Sequence, residues 1–205
     1  MILHAFYNKA EVGDILLCRF QNGQTDHAER IDDICYLYDH KGQIIGLNVF
    51  EASKHMTGLK DGQVEITDEI ISKINQLLDP SKEIQVEKDD QERLIVGQVV
   101  AIEEHPDSDH LHICQVDLGK ETTQIVCGAP NVALHQKVVV ATPGTMMPSG
   151  LLIVPSALRK VKSNGMLCSA RELLLPNAPQ VRGIMVLDDD YQVGQSFLKQ
   201  YMGGK

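Results

Sequence analysis

No apolar run in this chain approaches the roughly 20 residues that a membrane-spanning helix needs, so no transmembrane segment is expected. The opening residues, Met1 to Asn8, show no basic stretch and no small-residue cleavage site, which argues against a secretory signal. A cytoplasmic protein is the expectation. Tryptophan is missing, as are internal repeats and low-complexity tracts, and the composition is otherwise ordinary for a globular protein at 43% hydrophobic and 23% charged. The five cysteines, Cys18, Cys35, Cys114, Cys127 and Cys168, are odd in number and form no CxxC pair, which excludes a recognisable disulfide framework or zinc motif. Most lie beside apolar neighbours, as in Leu16-Leu17-Cys18 and Ile125-Val126-Cys127, and read as reduced core thiols. A Walker loop, a dinucleotide fingerprint and a nucleophile elbow are also absent. No enzyme activity, catalytic residue, metal or other cofactor is therefore expected.

Positive charge is scarce as well. The formal net charge of -9 argues against a general polyanion binder, because phosphate contacts need local cations. Its distribution is uneven. Residues 1–90 hold nine basic against seventeen acidic side chains, a formal -8, whereas residues 91–205 hold ten against eleven, a formal -1. Within the second part, Arg159, Lys160, Lys162 and Arg171 fall in a stretch of thirteen positions that carries no acid. On charge alone, such a run reads as a solvated loop.

The pattern along the chain gives an α+β N-terminal domain followed by an all-β five-stranded barrel. Residues 1–84 form a small α+β domain of unknown role, 85–92 a charged linker, and 93–205 the barrel domain. In the first, strands are expected over Asp14 to Phe20, Ile34 to Tyr38 and Ile44 to Phe50, the last two joined by the Gly-containing turn Asp39 to Gln43. Thr67-Asp68-Glu69 offers a helix N-cap with acidic first-turn residues, and Ile70, Ile71, Ile74, Leu77 and Leu78 follow at helical spacing. After the linker, strands are expected over Leu94 to Glu103, Leu111 to Leu118, Thr123 to Cys127, Lys137 to Ala141 and Gly183 to Leu187, with little helix. Periodicity alone does not separate an OB barrel from another all-β barrel.

Several motifs occur in one order: His105-Pro106-Asp107-Ser108-Asp109, Ile125-Val126-Cys127-Gly128-Ala129-Pro130-Asn131, and Ser163-Asn164-Gly165-Met166-Leu167-Cys168-Ser169. Together they resemble the tRNA-binding OB-fold domain near the start of the bacterial phenylalanyl-tRNA synthetase beta chain. The likeness runs from about Val96 to about Leu174, about two-fifths of the chain. A free-standing version with its own N-terminal domain is similar to the bacterial YtpR family. The resemblance implies an OB-fold barrel that binds tRNA, or another structured RNA, without catalysis and in connection with translation. The RNA-binding residues it implies are Asn131, Arg159, Lys160, Lys162, Ser163, Met166 and Ser169. A-form RNA hides its base edges, so cations and hydroxyl or amide donors suit its phosphates and 2′-hydroxyls. No membrane and no DNA partner is expected, and a homodimer is compatible with the family.

This chain also departs from the pattern. His110 and His112 stand where basic residues are common, Ala157 where a Lys is common, and Lys160 where a Gly is common. The cationic footprint is shifted, and a protein-interaction or dimerisation module that has lost RNA binding is the alternative. Simpler readings accompany the other candidates. His105, His110 and His112 lack the spacing of a metal site, so a turn-stabilising His-Pro-Asp loop is favoured. Cys127 and Cys168 have nothing nearby in sequence to lower their pKa, so buried strand thiols are favoured over nucleophiles.

Overall fold

The chain divides into two units, residues 1–90 and 91–205, and the structure, a computed structural model, describes residues 1–203. In the first unit the elements are β1 (His4–Tyr7), α1 (Lys9–Val12), β2 (Ile15–Arg19), β3 (His27–Ile31), β4 (Ile34–Tyr38), β5 (Ile44–Phe50), α2 (Ala52–His55), β6 (Gly62–Val64) and α3 (Asp68–Leu77). Strict alternation decides which side chains enter the core. Leu16 and Cys18 of β2, Ile34 and Tyr36 of β4, and Leu47 and Val49 of β5 are buried together. The six strands form one antiparallel sheet in the order β3-β4-β5-β2-β1-β6.

Helix α3 begins where Thr67 accepts a hydrogen bond from the Ile70 amide at 3.3 Å, with Asp68 and Glu69 complementing the dipole of its first turn. Its buried residues, Ile70 and Ile74, each contribute roughly 1.5–3 kcal/mol by leaving water. The stretch expected to be a linker from residue 85 is structured at its start. Val86 is 1% exposed in the first core, its amide donates to the Asn75 side chain at 2.9 Å, and its carbonyl accepts from the same side chain at 3.0 Å. Glu87 in turn accepts from the Leu3 amide. Ile84 and Val86 alternate with polar residues, and that short apolar rhythm is hidden inside a charge-dense segment.

The second unit is built from β7 (Leu94–Glu104), β8 (His112–Asp117), β9 (Thr122–Cys127), β10 (Lys137–Ala141), β11 (Ser156–Leu158), β12 (Val161–Ser163), β13 (Met166–Leu167), β14 (Val186–Leu187) and α4 (Phe197–Gly203). The main sheet runs β13-β10-β7-β8-β9, with β14 also on β10. A register shift between Val99 and Ala101 bends the long strand β7, as a bulge does. Gly97 permits the tight curl: a Cβ there would sit 2.7 Å from Val116 Cγ1 and 2.8 Å from Val140 Cγ2. Beyond β9 the sheet nearly closes, because the Asn164 amide, just before β13, donates to the Gln124 carbonyl at 2.8 Å. Val99, Cys114, Val116, Ile125, Val138 and Val140 fill the interior.

The strand expected over Gly183 to Leu187 shrinks to Val186–Leu187. The Ile184 amide and carbonyl are instead taken by the Asn131 side chain, at 2.9 and 3.0 Å. β13, inside the Gly-Met-Leu motif, supplies a strand that is too short to show periodicity.

Candidate nucleic-acid interface

Strands β11 and β12 pair through Leu158 and Val161, leaving Arg159 and Lys160 as the turn between them. Their φ angles are +43° and +70°, the pair of left-handed residues that a type I′ hairpin requires. Such a turn throws both side chains outward, and Arg159, Lys160 and Lys162 are all exposed. Gln124 of β9 donates to the Lys162 carbonyl at 2.7 Å, which fixes the hairpin beside the barrel.

The loop between β7 and β8 meets this hairpin. His105 is 3% exposed; its Nδ1 accepts from the Asp107 amide and its Nε2 donates to the Leu158 carbonyl, both at 3.1 Å. The Arg159 guanidinium donates to the Asp107 carbonyl. On its other side the same loop approaches Gly128, near Leu111 and the His110 carbonyl. There the Arg182 guanidinium donates to the Gly128 carbonyl at 2.9 Å. A shallow pocket of about 250 Å³ opens beside it, with Gly128, Met166, Ser169, Arg171, Glu172 and Arg182 in its wall.

Arg159 and Arg182 are held by backbone carbonyls, which leave their charges uncompensated. Ion pairs in this unit include Lys199 with Glu92 at 2.5 Å and, within the β7–β8 loop itself, His110 with Asp109 at 3.3 Å; among the described residues none involves Arg159, Lys160, Lys162, Arg171 or Arg182. From residue 159 to residue 187 the only acidic side chain is Glu172. That carboxylate is occupied, accepting from the Ser169 amide and hydroxyl, each at 2.7 Å, while the Ser169 hydroxyl accepts from the Glu172 amide at 3.2 Å. This is a reciprocal capping box.

The structure therefore sorts the residues named from sequence. Arg159, Lys160 and Lys162 stand together on the surface. Met166 is half-buried and lines the pocket. Ser169 lies there too, with its hydroxyl used as a cap. Two of the other named side chains are engaged within the protein. Ser163 is 2% exposed, and its hydroxyl accepts from the Val126 amide at 3.0 Å and donates to the Gly165 carbonyl at 3.3 Å, so it faces the barrel and not a ligand. Asn131 spends its amide on Ile184, as described above. Arg182 was not foreseen. Its only mark in the sequence is the nearly acid-free run from 159 to 187, which continues past the Gly-Met-Leu motif.

Burial pushes the thiols of Cys114 and Cys168 up to about 12 and raises that of Cys127. Such groups are protonated at neutral pH and are poor nucleophiles. Among the described residues, no group of three or more His, Cys, Asp or Glu side chains could hold a metal ion.

The family described as "Putative tRNA binding domain" matches residues 94–196, and a "Domain of unknown function (DUF4479)" matches residues 21–83. The "Putative tRNA-binding protein YtpR" of Bacillus subtilis is 42% identical over 199 residues, covering 95% of this chain and 99% of that protein. The chain belongs to the YtpR family. This YtpR-family chain is also 48% identical over 109 residues to the "Phenylalanine--tRNA ligase beta subunit" of Oceanobacillus iheyensis, covering 50% of this chain and 13% of the ligase subunit. The same subunit of Nitratidesulfovibrio vulgaris is 49% identical over 104 residues, with 50% and 13% covered.

Proposed function

We propose that the second unit is an OB-type five-stranded barrel that binds tRNA without catalysis, in the cytoplasm. The contact surface runs from the Arg159–Lys160–Lys162 hairpin across the His105–Leu111 loop to Arg171 and Arg182. One observation carries this reading: in an otherwise acidic chain, Arg159 and Arg182 are fixed on backbone carbonyls at and beside the β7–β8 loop, Lys160 and Lys162 share the hairpin of Arg159, Arg171 shares a pocket wall with Arg182, and among the described residues none of the five forms an ion pair. Phosphates of a folded RNA are the chemistry that such a surface fits. Guanidiniums can grip them with paired hydrogen bonds, and the grooves of A-form RNA are met mainly through backbone and 2′-hydroxyl. The names of the relatives that cover this chain or this domain point the same way. A duplex DNA partner is not part of the proposal.

A mobility shift against total bacterial tRNA, repeated from low to physiological salt, tests it. Saturable binding with a log-log salt slope of about -4 is expected for five phosphate contacts. Replacing Arg159, Lys160 and Lys162 together by Ala should reduce the slope by about two to three units and weaken all tRNAs alike. Wild-type behaviour of that variant would remove the hairpin from the site. A second reading, contact with a protein or with another copy of the chain, is favoured by Leu174 and Val181, which are 73% and 70% exposed. Sedimentation equilibrium with Leu174→Ser and Val181→Ser variants tests it, and a monomeric wild type would exclude self-association.

A further inference from the structure

Among the histidines of the second unit, His105 is the buried one, while His110 and His135 are exposed and His112 is half-buried. Both of its ring nitrogens are used, and in opposite senses. Nε2 donates to the carbonyl of Leu158, the residue directly before the Arg159–Lys160 turn, and Nδ1 accepts from the Asp107 amide. Asp107 is tied a second time, since its carbonyl accepts from the Arg159 guanidinium. The imidazole and the guanidinium thus close a ring: His105 to Leu158, along the chain to Arg159, across to Asp107, and back to His105. No other side chain joins the β7–β8 loop to the root of the hairpin in this way among the described hydrogen bonds.

We propose that His105 is a positioning residue for the RNA-facing cations: it holds the hairpin root and Asp107 so that Arg159 and Lys160 are aimed before RNA arrives. The inference rests on the reading of the preceding subsection. Its physical basis is preorganisation, because an arginine already fixed on a carbonyl loses less side-chain freedom when it meets a phosphate. The arrangement also fixes the tautomer. Only the neutral ring with its proton on Nε2 offers a donor to Leu158 and an acceptor to the Asp107 amide.

The test is a double-mutant cycle on the full chain, read by tRNA mobility shift. His105→Phe keeps the ring volume and removes both nitrogens; tRNA affinity should fall about tenfold, and the salt slope should lose about one unit as Arg159 goes free. His105→Gln, whose amide can still donate to Leu158, should recover most of that loss. In an Arg159→Ala/Lys160→Ala background, His105→Phe should have no further effect. A fold-wide destabilisation would instead lower affinity in both backgrounds equally. If Arg159→Ala/Lys160→Ala weakens binding while His105→Phe binds like the wild type, or costs the same in both backgrounds, the positioning role is overturned and the RNA surface stands. If Arg159→Ala/Lys160→Ala itself binds like the wild type, these two cations leave the RNA surface and the positioning role falls with them. Should His105→Phe fail to fold, nitrogen chemical shifts of the wild-type ring decide. A protonated Nε2 and bare Nδ1 are required, and a proton on Nδ1 overturns the proposal.

Discussion

At Lys160 the backbone is left-handed with φ +70°, a conformation that costs an L side chain roughly 1–2 kcal/mol and costs glycine nothing. Lys160→Gly relieves that strain but gives the unfolded chain more freedom, worth about 0.5–1 kcal/mol in the other direction. The two nearly offset, so urea unfolding should show a stability change below about 1 kcal/mol. The tRNA salt slope should fall by about one unit. A large loss of stability would mean that the turn is not of this type.

The thiols make a second prediction. Cys18, Cys114, Cys127 and Cys168 are buried and Cys35 is half-buried. Mass spectrometry after brief iodoacetamide treatment should find Cys35 labelled in the native protein, and all five cysteines labelled only after unfolding. At the scale of single residues, charge was legible in the sequence and commitment was not. Lys160 and Lys162 announce themselves by their neighbours. Nothing in the letters says that the hydroxyl of Ser163 is spent on Val126, because that depends on which way β12 faces.

The elements around the site are held by short-range devices. The capping box of Ser169 and Glu172 spans the turn that carries Arg171, and Ser169→Ala should cost about 1 kcal/mol by leaving the Glu172 amide without its acceptor. Glu172→Gln keeps an acceptor in a position that capping boxes tolerate, yet removes the one acid between residues 159 and 187. The variant should stay folded and bind tRNA several-fold more tightly at fixed salt. Unchanged binding would place Glu172 off the RNA side.

Strands β7, β8, β9 and β10 were readable because each is a run of β-branched residues bounded by turn signals. The hairpin β11–β12 and strand β13 were not, since two or three residues carry no period. The apolar run Ile184-Met185-Val186-Leu187 looks like a strand throughout. Asn131 takes the backbone of Ile184 before any neighbouring strand can.

Charge also divides the whole molecule, and pH should reveal it. In the first unit Asp14 accepts from the Ser53 hydroxyl at 2.6 Å and from the Tyr7 hydroxyl at 2.7 Å. These bonds, that of Ser53 foremost, hold its carboxyl near 2, below the usual 3.8, and the bond to Asp14 lifts the Tyr7 hydroxyl to about 12 from 10.0. For Asp14 the folded value is depressed, so its stabilisation is present above about pH 4 and is lost as the pH falls toward 2. For Tyr7 the folded value is raised, so its stabilisation is present below pH 10 and is lost as the pH rises toward 12. Both groups sit in residues 1–90, where acidic side chains already exceed basic ones and repel one another near neutrality. Amide NMR signals of the first unit should therefore lose their native positions between about pH 4 and 2 in the wild type. Asp14→Asn keeps the shape of the side chain without its proton equilibrium, so it should start less stable at pH 7 and show a flatter acid limb. If the two proteins trace parallel curves, Asp14 is not the group that couples this unit to pH.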